Sequence, residues 1–569
     1  MEIPLEKLKE LLVLPGHIPE KEFNDAVKKA REENIPLQTF LVEKGLILDE
    51  NLGKTIAEHF DYRFINLNKE EISEEVLKIV PELVARMQEV ISFDRGKDGF
   101  KIAMANPNNY EMIKWLEKKT GETVKVYYAT SFGIQDALRF YRKKITEEFD
   151  DIIKTQVKEA KRLDVKAEDI PIIKIVDTLI EYAYENGTSD IHIEPLDDKT
   201  QVRFRIDGVL HNVVSLPKDI HGLVVTRIKV LSRLRTDEHF AAQDGKFQVK
   251  LEALTGSRRK QDKFDIRVSI VPITDGEKIV MRLLAEKNRR FTLKELGFSS
   301  QNHKKIKSTI KKPYGMVLST GPTGCGKTTS LYAILKILNK PNVNITTIED
   351  PVEYDVEGIS QIQVNTKTGL TFTKGLRSIV RQDPDIIMVG EIRDEETADI
   401  AINSAMTGHL VLSTMHANTA ATNLVRLIDM GIEPFLVASS INIVFGQRLV
   451  RKICEKCRHS YEIGHQELEK LNLSSKIIEK LLGKKQKIRV YKGKGCRGCN
   501  ESGYAGRIGI FEILEISDTL KQMIMSKTNA DKLEDQAIKE GMHTMMEDGI
   551  EKVLTGITTI DEVLRVTLE

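Results

Sequence analysis

Six almost wholly apolar residues, Gly315 to Thr320, run straight into Gly321-Pro322-Thr323-Gly324-Cys325-Gly326-Lys327-Thr328-Thr329, and a helical pattern, Ser330 to Leu338, follows at once. A short strand without polar alternation belongs in a parallel sheet covered on both faces. The segment between strand and helix fills every fixed position of a phosphate-binding loop. Its glycines let successive backbone N–H groups turn toward an anion. The Lys327 ammonium is placed to neutralise β- and γ-phosphates, and the Thr328 hydroxyl to take Mg²⁺. Glycine loops also serve as plain turns, but the strand before and the helix after predict an ATP site over residues 321–329. Cys325 reads as packing inside the loop, since buried thiols are usually inert.

Strands and helices go on alternating after this loop, through "NITTIED", "DIIMVGE" and "HLVLSTM". That is the rhythm of a doubly wound α/β core. In "DPDIIMVGEIRD" an apolar strand ends at Gly390-Glu391. A carboxylate there can hold Mg²⁺ through water and orient the attacking water. "TTIEDPVEY" crowds Glu349, Asp350 and Glu353, acids that repel and need a cation or basic partners; a solvated acidic turn is the alternative. "TGHLVLSTMHANTA" holds His409 and His416. Either could bond a γ-phosphate and report its loss, and a satisfied structural histidine is the rival reading of each.

Of five cysteines, four form two pairs, Cys454 with Cys457 and Cys496 with Cys499. In a reducing compartment Cys-x-x-Cys pairs chelate Zn²⁺ through four thiolates, a closed and structural site; a redox dithiol is the alternative. The stretch between the pairs, Arg458 to Gly495, is expected to form a helical excursion.

A chain of 569 residues is too long for one core. The boundaries read as an N-terminal docking domain over 1–144, a charged linker over 145–168, a second α/β domain over 169–290, the ATPase domain over 291–516 with a zinc-binding insertion at about 450–505, and a helical tail over 517–569. The first sixty residues hold a faint repeat: Leu11–Phe23 resembles Phe40–Leu52, aligning Gly16 with Gly45, Ile18 with Ile47 and Phe23 with Leu52. A formal charge of +1 gives no global basic excess for nucleic acid. No apolar run approaches the ~20 residues of a membrane span, and the start lacks a secretory signal. The expected location is the cytoplasm, peripheral to the inner membrane through partners.

These boxes, in this order, resemble the secretion ATPase superfamily of type II secretion and type IV pilus motors. "TGPTGCGKTTSLY" is similar to its Walker A loop, "TIEDPVE" to its Asp box, "IIMVGEIRD" to its Walker B strand and "TGHLVLSTMHANTA" to its His box. The likeness extends from about Pro171 to Glu515 and includes "SDIHIEP", "VRFRIDG", "LRSIVRQDPD" and "GRIGIFEIL". It implies a RecA-like core, a preceding PAS-like domain, and a homo-hexamer with ATP between the two. Glu391 matches the Walker B acid, and Glu353 the Asp-box acid proposed as general base. Arg203, Arg205, Arg227, Arg377 and Arg381 become arginine-finger candidates, although such residues are commonly surface ion pairs. The long N-terminal part and the cysteine pairs resemble assembly motors rather than retraction motors. The implied partners are a polytopic inner-membrane platform protein and a membrane-associated cytoplasmic adaptor. Some relatives bind cyclic di-GMP through a repeat that starts Arg-Leu-Gly. This chain reads Pro36-Leu37-Gln38 there, so cyclic di-GMP is doubtful and none is expected. The alternatives are a nucleic-acid translocase on the same core, a retraction motor and a non-hydrolysing scaffold.

Overall fold

The computed structural model describes residues 3–141, 172–284 and 292–567, less 16, 33–35, 44–45, 48, 68–69, 71, 97–98, 256–257, 354, 471–477, 479–480, 484–485, 497–498 and 500. The charged stretch read as a linker, 145–168, lies outside the described residues, as do Gly16 and Gly45 of the repeat.

The repeat folds as two helix pairs, Leu5–Val13 with Glu20–Glu32 and Leu37–Glu43 with Asp49–His59. The aligned apolar residues Ile18, Phe23, Ile47 and Leu52 are buried in one core. An α/β unit follows, with the three-stranded sheet β1 (Val90–Gly96), β2 (Gly99–Met104) and β3 (Val124–Tyr128) in that order. The two parts are joined where Phe64 bridges to Tyr128 and Thr130 Oγ1 donates to Asp49 at 2.6 Å.

The second domain opens with helix Ile172–Glu185, whose Ile175, Val176, Leu179, Ile180 and Ala183 are buried at the spacing that a single helical face dictates. Six antiparallel strands follow: β4 (Thr188–Pro195), β5 (Lys199–Ile206), β6 (Val209–Pro217), β7 (Gln243–Thr255), β8 (Arg258–Ile273) and β9 (Gly276–Leu284). They pair in the order β6-β5-β4-β9-β8-β7, and helices Ile172–Glu185 and His221–Ser232 cover one face. Asp207 and Gly208 both take positive φ, the two-residue turn that suits a twisted hairpin. Strand β7 is not foreshadowed in the sequence. Its residues from Gln243 to Leu251 alternate between half-buried and exposed, so no run of apolar residues announces it.

The core sheet carries β10 (Gly315–Thr320), β11 (Ile345–Glu349), β12 (Ser360–Gln363), β13 (Ile386–Val389), β14 (Leu410–Met415), β15 (Ile441–Ile453) and β18 (Tyr504–Glu515). The order is β12-β11-β13-β14-β10-β15-β18, parallel except for the last pair. Both faces are buried. Met316 and Leu318 pack in one layer with helices Glu395–Met406 and Ala420–Asp429, while Val317 packs in the other with helix Lys327–Leu338.

One expectation changes. Among the described residues between the cysteine pairs, the frame is not helical, although residues 465–469, 478, 481 and 482 are. It is an antiparallel ribbon of β16 (Arg458–Gly464) and β17 (Lys487–Gly493), with the short helix His465–Glu469 between them. Ile463, Ile488 and Val490 present one apolar side to Met545, Ile550 and Val553, and that burial selects strands. The helical tail packs on the core sheet. Leu520, Ile524, Leu533 and Ala537 of its first two helices belong to the core layer of Met316 and Leu318.

Candidate active site

Parallel pairing places three strand ends side by side. Thr320 of β10 lies opposite Met415 of β14, and Val389 of β13 opposite Ser413 of β14. The phosphate loop, Glu391 and His416 therefore leave the sheet together at its carboxyl edge, where ligands gather in open α/β sheets. Hydroxyls tie the exits. Thr320 Oγ1 donates to the Ala417 carbonyl at 2.9 Å, and Thr414 Oγ1 to the Gly390 carbonyl at 2.7 Å.

Within the loop, Gly321 has φ +146°, and a Cβ there would stand 2.6 Å from both Cys325 Sγ and the Gln447 carbonyl oxygen. No larger residue fits. Pro322, Thr323 and Gly324 are exposed, and Thr328 and Thr329 half-buried. Lys327 is buried, with Nζ donating to the carbonyls of Gly321 at 2.7 Å and Pro322 at 3.1 Å. Burial lowers its pKa, while the Cys325 and Glu391 fields act to raise it. An ammonium desolvated against carbonyls gains from an anion. Exposed amides around such a cation match a nucleotide triphosphate. Cys325 is buried with its thiol pushed up by desolvation, as expected of packing.

Glu391 is largely buried, accepts from Arg393 Nη2, and lies 3.2 Å from His416 Nε2. Arg426 Nη1 holds the His416 carbonyl. His409 does not join them. It precedes Leu410, opposite Gly315 at the amino edge of the sheet, and Nδ1 pairs with the Ser404 carbonyl at 2.9 Å. The six residues of β14 separate it from His416, about 23 Å of extended chain. Of the two readings of His409, this position and hydrogen bond favour the satisfied structural histidine.

The Asp-box acids also divide. Glu349 is buried and accepts from the Tyr332 hydroxyl, from Thr347 Oγ1 at 2.6 Å and from Gln361 Nε2 at 3.2 Å. Both its oxygens fasten β11 to helix Lys327–Leu338 and to β12, contacts that suit a positioning residue. Glu353 is half-buried where the second domain meets the core. Arg267 of β8 lies 3.2 Å from it and also donates to the Val352 carbonyl at 3.0 Å.

Arg267 closes a row of directly opposed residues across four strands: Arg205 on β5, Asp190 on β4, Arg282 on β9 and Arg267 on β8. Asp190 is shared by Arg205 and Arg282, while Arg267 at the end of the row takes Glu353 of the Asp box as its partner. Arg282 Nε reaches Asp190 at 2.8 Å. Of the five arginines singled out from the sequence, Arg203 pairs with Glu194 at 2.7 Å and Arg205 donates to the Gly208 carbonyl at 3.0 Å. Arg227 lies on helix His221–Ser232 with a buried Nε that lacks a hydrogen bond, Arg377 pairs with Glu396 at 3.0 Å, and Arg381 donates to Ser378 Oγ at 3.3 Å. No hydrogen bond or ion pair among the described residues joins these five to residues 321–329. Sequence reasoning missed Arg267, Arg282, Arg393 and Gln447. Alternation in "DIRVSIV" marks Arg267 as outward-facing, but the identity of its partner, 86 positions on, is not a local property.

The four thiols gather as expected. Sγ atoms of Cys454 and Cys496, and of Cys457 and Cys499, are 3.9 Å apart, those of Cys496 and Cys499 are 3.6 Å apart, and all four lie within 4.8 Å. Tetrahedral Zn–S bonds of about 2.3 Å require S···S edges of about 3.8 Å, so the cluster is compatible with zinc. Desolvation works against ionising Cys499, but hydrogen bonds from the N–H groups of Cys496 and Gly503 and from the Cys496 and Cys457 thiols together hold its pKa below the ordinary value.

Comparison with known proteins adds the following. The profile of the family described as Type II/IV secretion system protein matches residues 165–565, and the MshEN domain profile matches residues 60–147. The Type IV pilus assembly ATPase PilB of Myxococcus xanthus is 37% identical over 569 residues, covering 98% of each chain. The Type II secretion system ATPase E of Vibrio cholerae is 44% identical over 402 residues, covering 71% of this chain and 76% of its own. The solved structure of the ATPase DotB from Yersinia pseudotuberculosis matches with TM-score 0.50 at 18% identity, over 69% of this chain and 92% of its own, a likeness of fold.

Proposed function

From the premise that this chain belongs to the Type II/IV secretion system protein family and is an ATPase, we propose that it is a hexameric motor that couples ATP hydrolysis to the assembly of a type IV pilus or type II secretion pseudopilus. The observation that carries this reading is the convergence of Lys327, Glu391 and His416 at one edge of the sheet, with Glu353 presented by the adjoining loop.

The loop amides and Lys327 bind the triphosphate of ATP. Thr328 and, through water, Glu391 are the residues that would hold Mg²⁺, which when bound neutralises charge on the transferring phosphate. Glu391 orients the attacking water, with ADP and phosphate as products. Glu353 stands by as the second acid, and Arg267 sets its position. His416 touches Glu391 directly, so a change at the γ-phosphate reaches the Arg426-held loop. The Arg267–Glu353 contact couples hydrolysis to movement of the second domain, because loss of the γ-phosphate alters the field in which that pair sits. Zinc at the four cysteines is structural. The N-terminal domain docks on a membrane-associated adaptor, and the ring works on a polytopic platform protein at the cytoplasmic face of the inner membrane. No helix among the described residues is long and apolar enough to cross a membrane.

Phosphate release with Mg-ATP tests the assignment. Glu391→Gln is expected to lower kcat by about 10²–10³, the scale for losing a charge-positioning group, while nucleotide affinity stays close to wild type. Equal rates would discard the role. Stimulation by DNA would instead support the translocase alternative.

A further inference from the structure

The cysteine cluster lies at one end of a two-stranded ribbon, β15 with β18, whose middle borders the nucleotide loop. Near its middle the ribbon carries three side chains that hold active-site loops. Gln447 of β15, 1% exposed, donates from Nε2 to the Cys325 carbonyl at 2.5 Å and accepts from Ser330 Oγ at 2.8 Å. One amide thus grips the chain on both sides of Lys327. Its neighbour Arg448 donates to the Asn418 carbonyl at 3.2 Å. On the paired strand, buried Glu512 accepts from the Ala420 N–H at 2.6 Å, where the helix after His416 begins. Glu512 lies opposite Gly446, and Phe511 opposite Gln447. A Cβ at Gly446 would stand 2.6 Å from Glu512 Oε1, so the two strands meet closely there.

These contacts depend on register, since a slip of one residue turns every side chain to the other face. The core sheet controls register over only part of the ribbon. β10 pairs with β15 from Ile441 to Gly446, whereas the β15–β18 ladder goes on to Ile453 opposite Tyr504, with an irregularity between Arg451 and Ile453. At that far end Cys454 N–H donates to the Gly503 carbonyl at 2.9 Å, and Gly503 N–H reaches Cys499 Sγ at 3.3 Å. Both strands therefore run directly into the thiol cluster. From Arg448 to Cys454 is about 20 Å along the strand.

We infer that the four-cysteine cluster governs nucleotide affinity: a metal held by Cys454, Cys457, Cys496 and Cys499 keeps the β15–β18 ribbon in the register by which Gln447 positions the phosphate loop. This rests on the ATPase reading of residues 321–329. Arg451–Glu562 at 2.6 Å and Ile453 N–H to the Ile557 carbonyl at 2.8 Å tie the same end to the C-terminal helices. Metal loss should therefore loosen the ribbon, not unfold it.

The test uses the full chain, zinc-loaded and chelator-stripped, with zinc content measured. Kd for a fluorescent ATP analogue with Mg²⁺ should rise about five- to twentyfold on stripping, within the usual range of coupling between sites. Amide exchange should quicken at residues 321–330 as well as around the cysteines. Gln447→Leu in the zinc-loaded chain should raise Kd by about tenfold, and stripping that variant should add less than about twofold, because both changes break one path. Equal Kd with and without zinc, faster exchange confined to residues 454–503, or a Gln447→Leu variant that binds as wild type would each overturn the inference. If the stripped chain unfolds, Gln447→Leu in the loaded chain decides alone. Absence of nucleotide binding by the loaded wild-type chain would count against the ATPase reading and not against the coupling.

Discussion

At the scale of single residues, the site is a set of charges that each need a partner from elsewhere. Lys327 loses solvation by burial, and Glu391 is held between Arg393 and His416. Glu353 is anchored from another domain by Arg267. Removing that guanidinium leaves the acid free to swing and takes a cation from the row beside the Asp box. Arg267→Ala is expected to lower kcat/KM for ATP by about 10²-fold, with Arg267→Lys recovering only part. A lysine cannot reproduce the fork that reaches both the carboxylate and the Val352 carbonyl. Steady-state hydrolysis by the three proteins decides this, and a wild-type rate for Arg267→Ala would remove the arginine from the site.

Among the elements, the C-terminal helix Ile560–Thr567 is held by one acid. Glu562 accepts from the Arg451 side chain at 2.6 Å and backbone N–H at 3.0 Å, and from Arg565 at 2.8 Å. Burial alone would raise its pKa, but hydrogen bonds from Arg565 and Arg451 outweigh that and hold it at about 2. A depressed folded pKa stabilises the fold above the unfolded value, near 4.3, and that stability is lost as pH falls toward 2. Glu562→Gln should cost about 1.5–3 kcal/mol at neutral pH, the range for hydrogen bonds to charged groups. The gap to wild type should narrow steadily below about pH 4. Thermal melts of both proteins from pH 7 to pH 3 measure it, and a gap independent of pH would refute the assignment. The ribbon β16–β17 between the cysteine pairs is the element least legible in advance. Its apolar residues are few and alternate, and their partners Met545, Ile550 and Val553 lie over fifty residues away.

For the whole molecule, none of Arg203, Arg205, Arg227, Arg377 and Arg381 reaches residues 321–329 by a described bond within one chain. If they stabilise the transferred phosphate, they do so across a subunit boundary of the proposed ring. Hydrolysis per chain should then rise with protein concentration in step with assembly, measured by sedimentation over the same range. A rate that stays constant from monomer to ring would exclude catalysis in trans.

Much of this was legible in the residues themselves. The loop at Gly321–Thr328, the acid at Glu391, the four cysteines, the helix at Ile172–Glu185 and the N-terminal repeat each depend on local chemistry or on a period, which a linear chain carries in full. The three-dimensional packing decided which of two histidines meets Glu391, that Glu349 is occupied within the core, that Arg267 clasps Glu353, and that Gln447 grips the phosphate loop. A pattern of burial states which face of an element is covered. It does not state what covers it, because that depends on the order and register of strands that are distant in the chain.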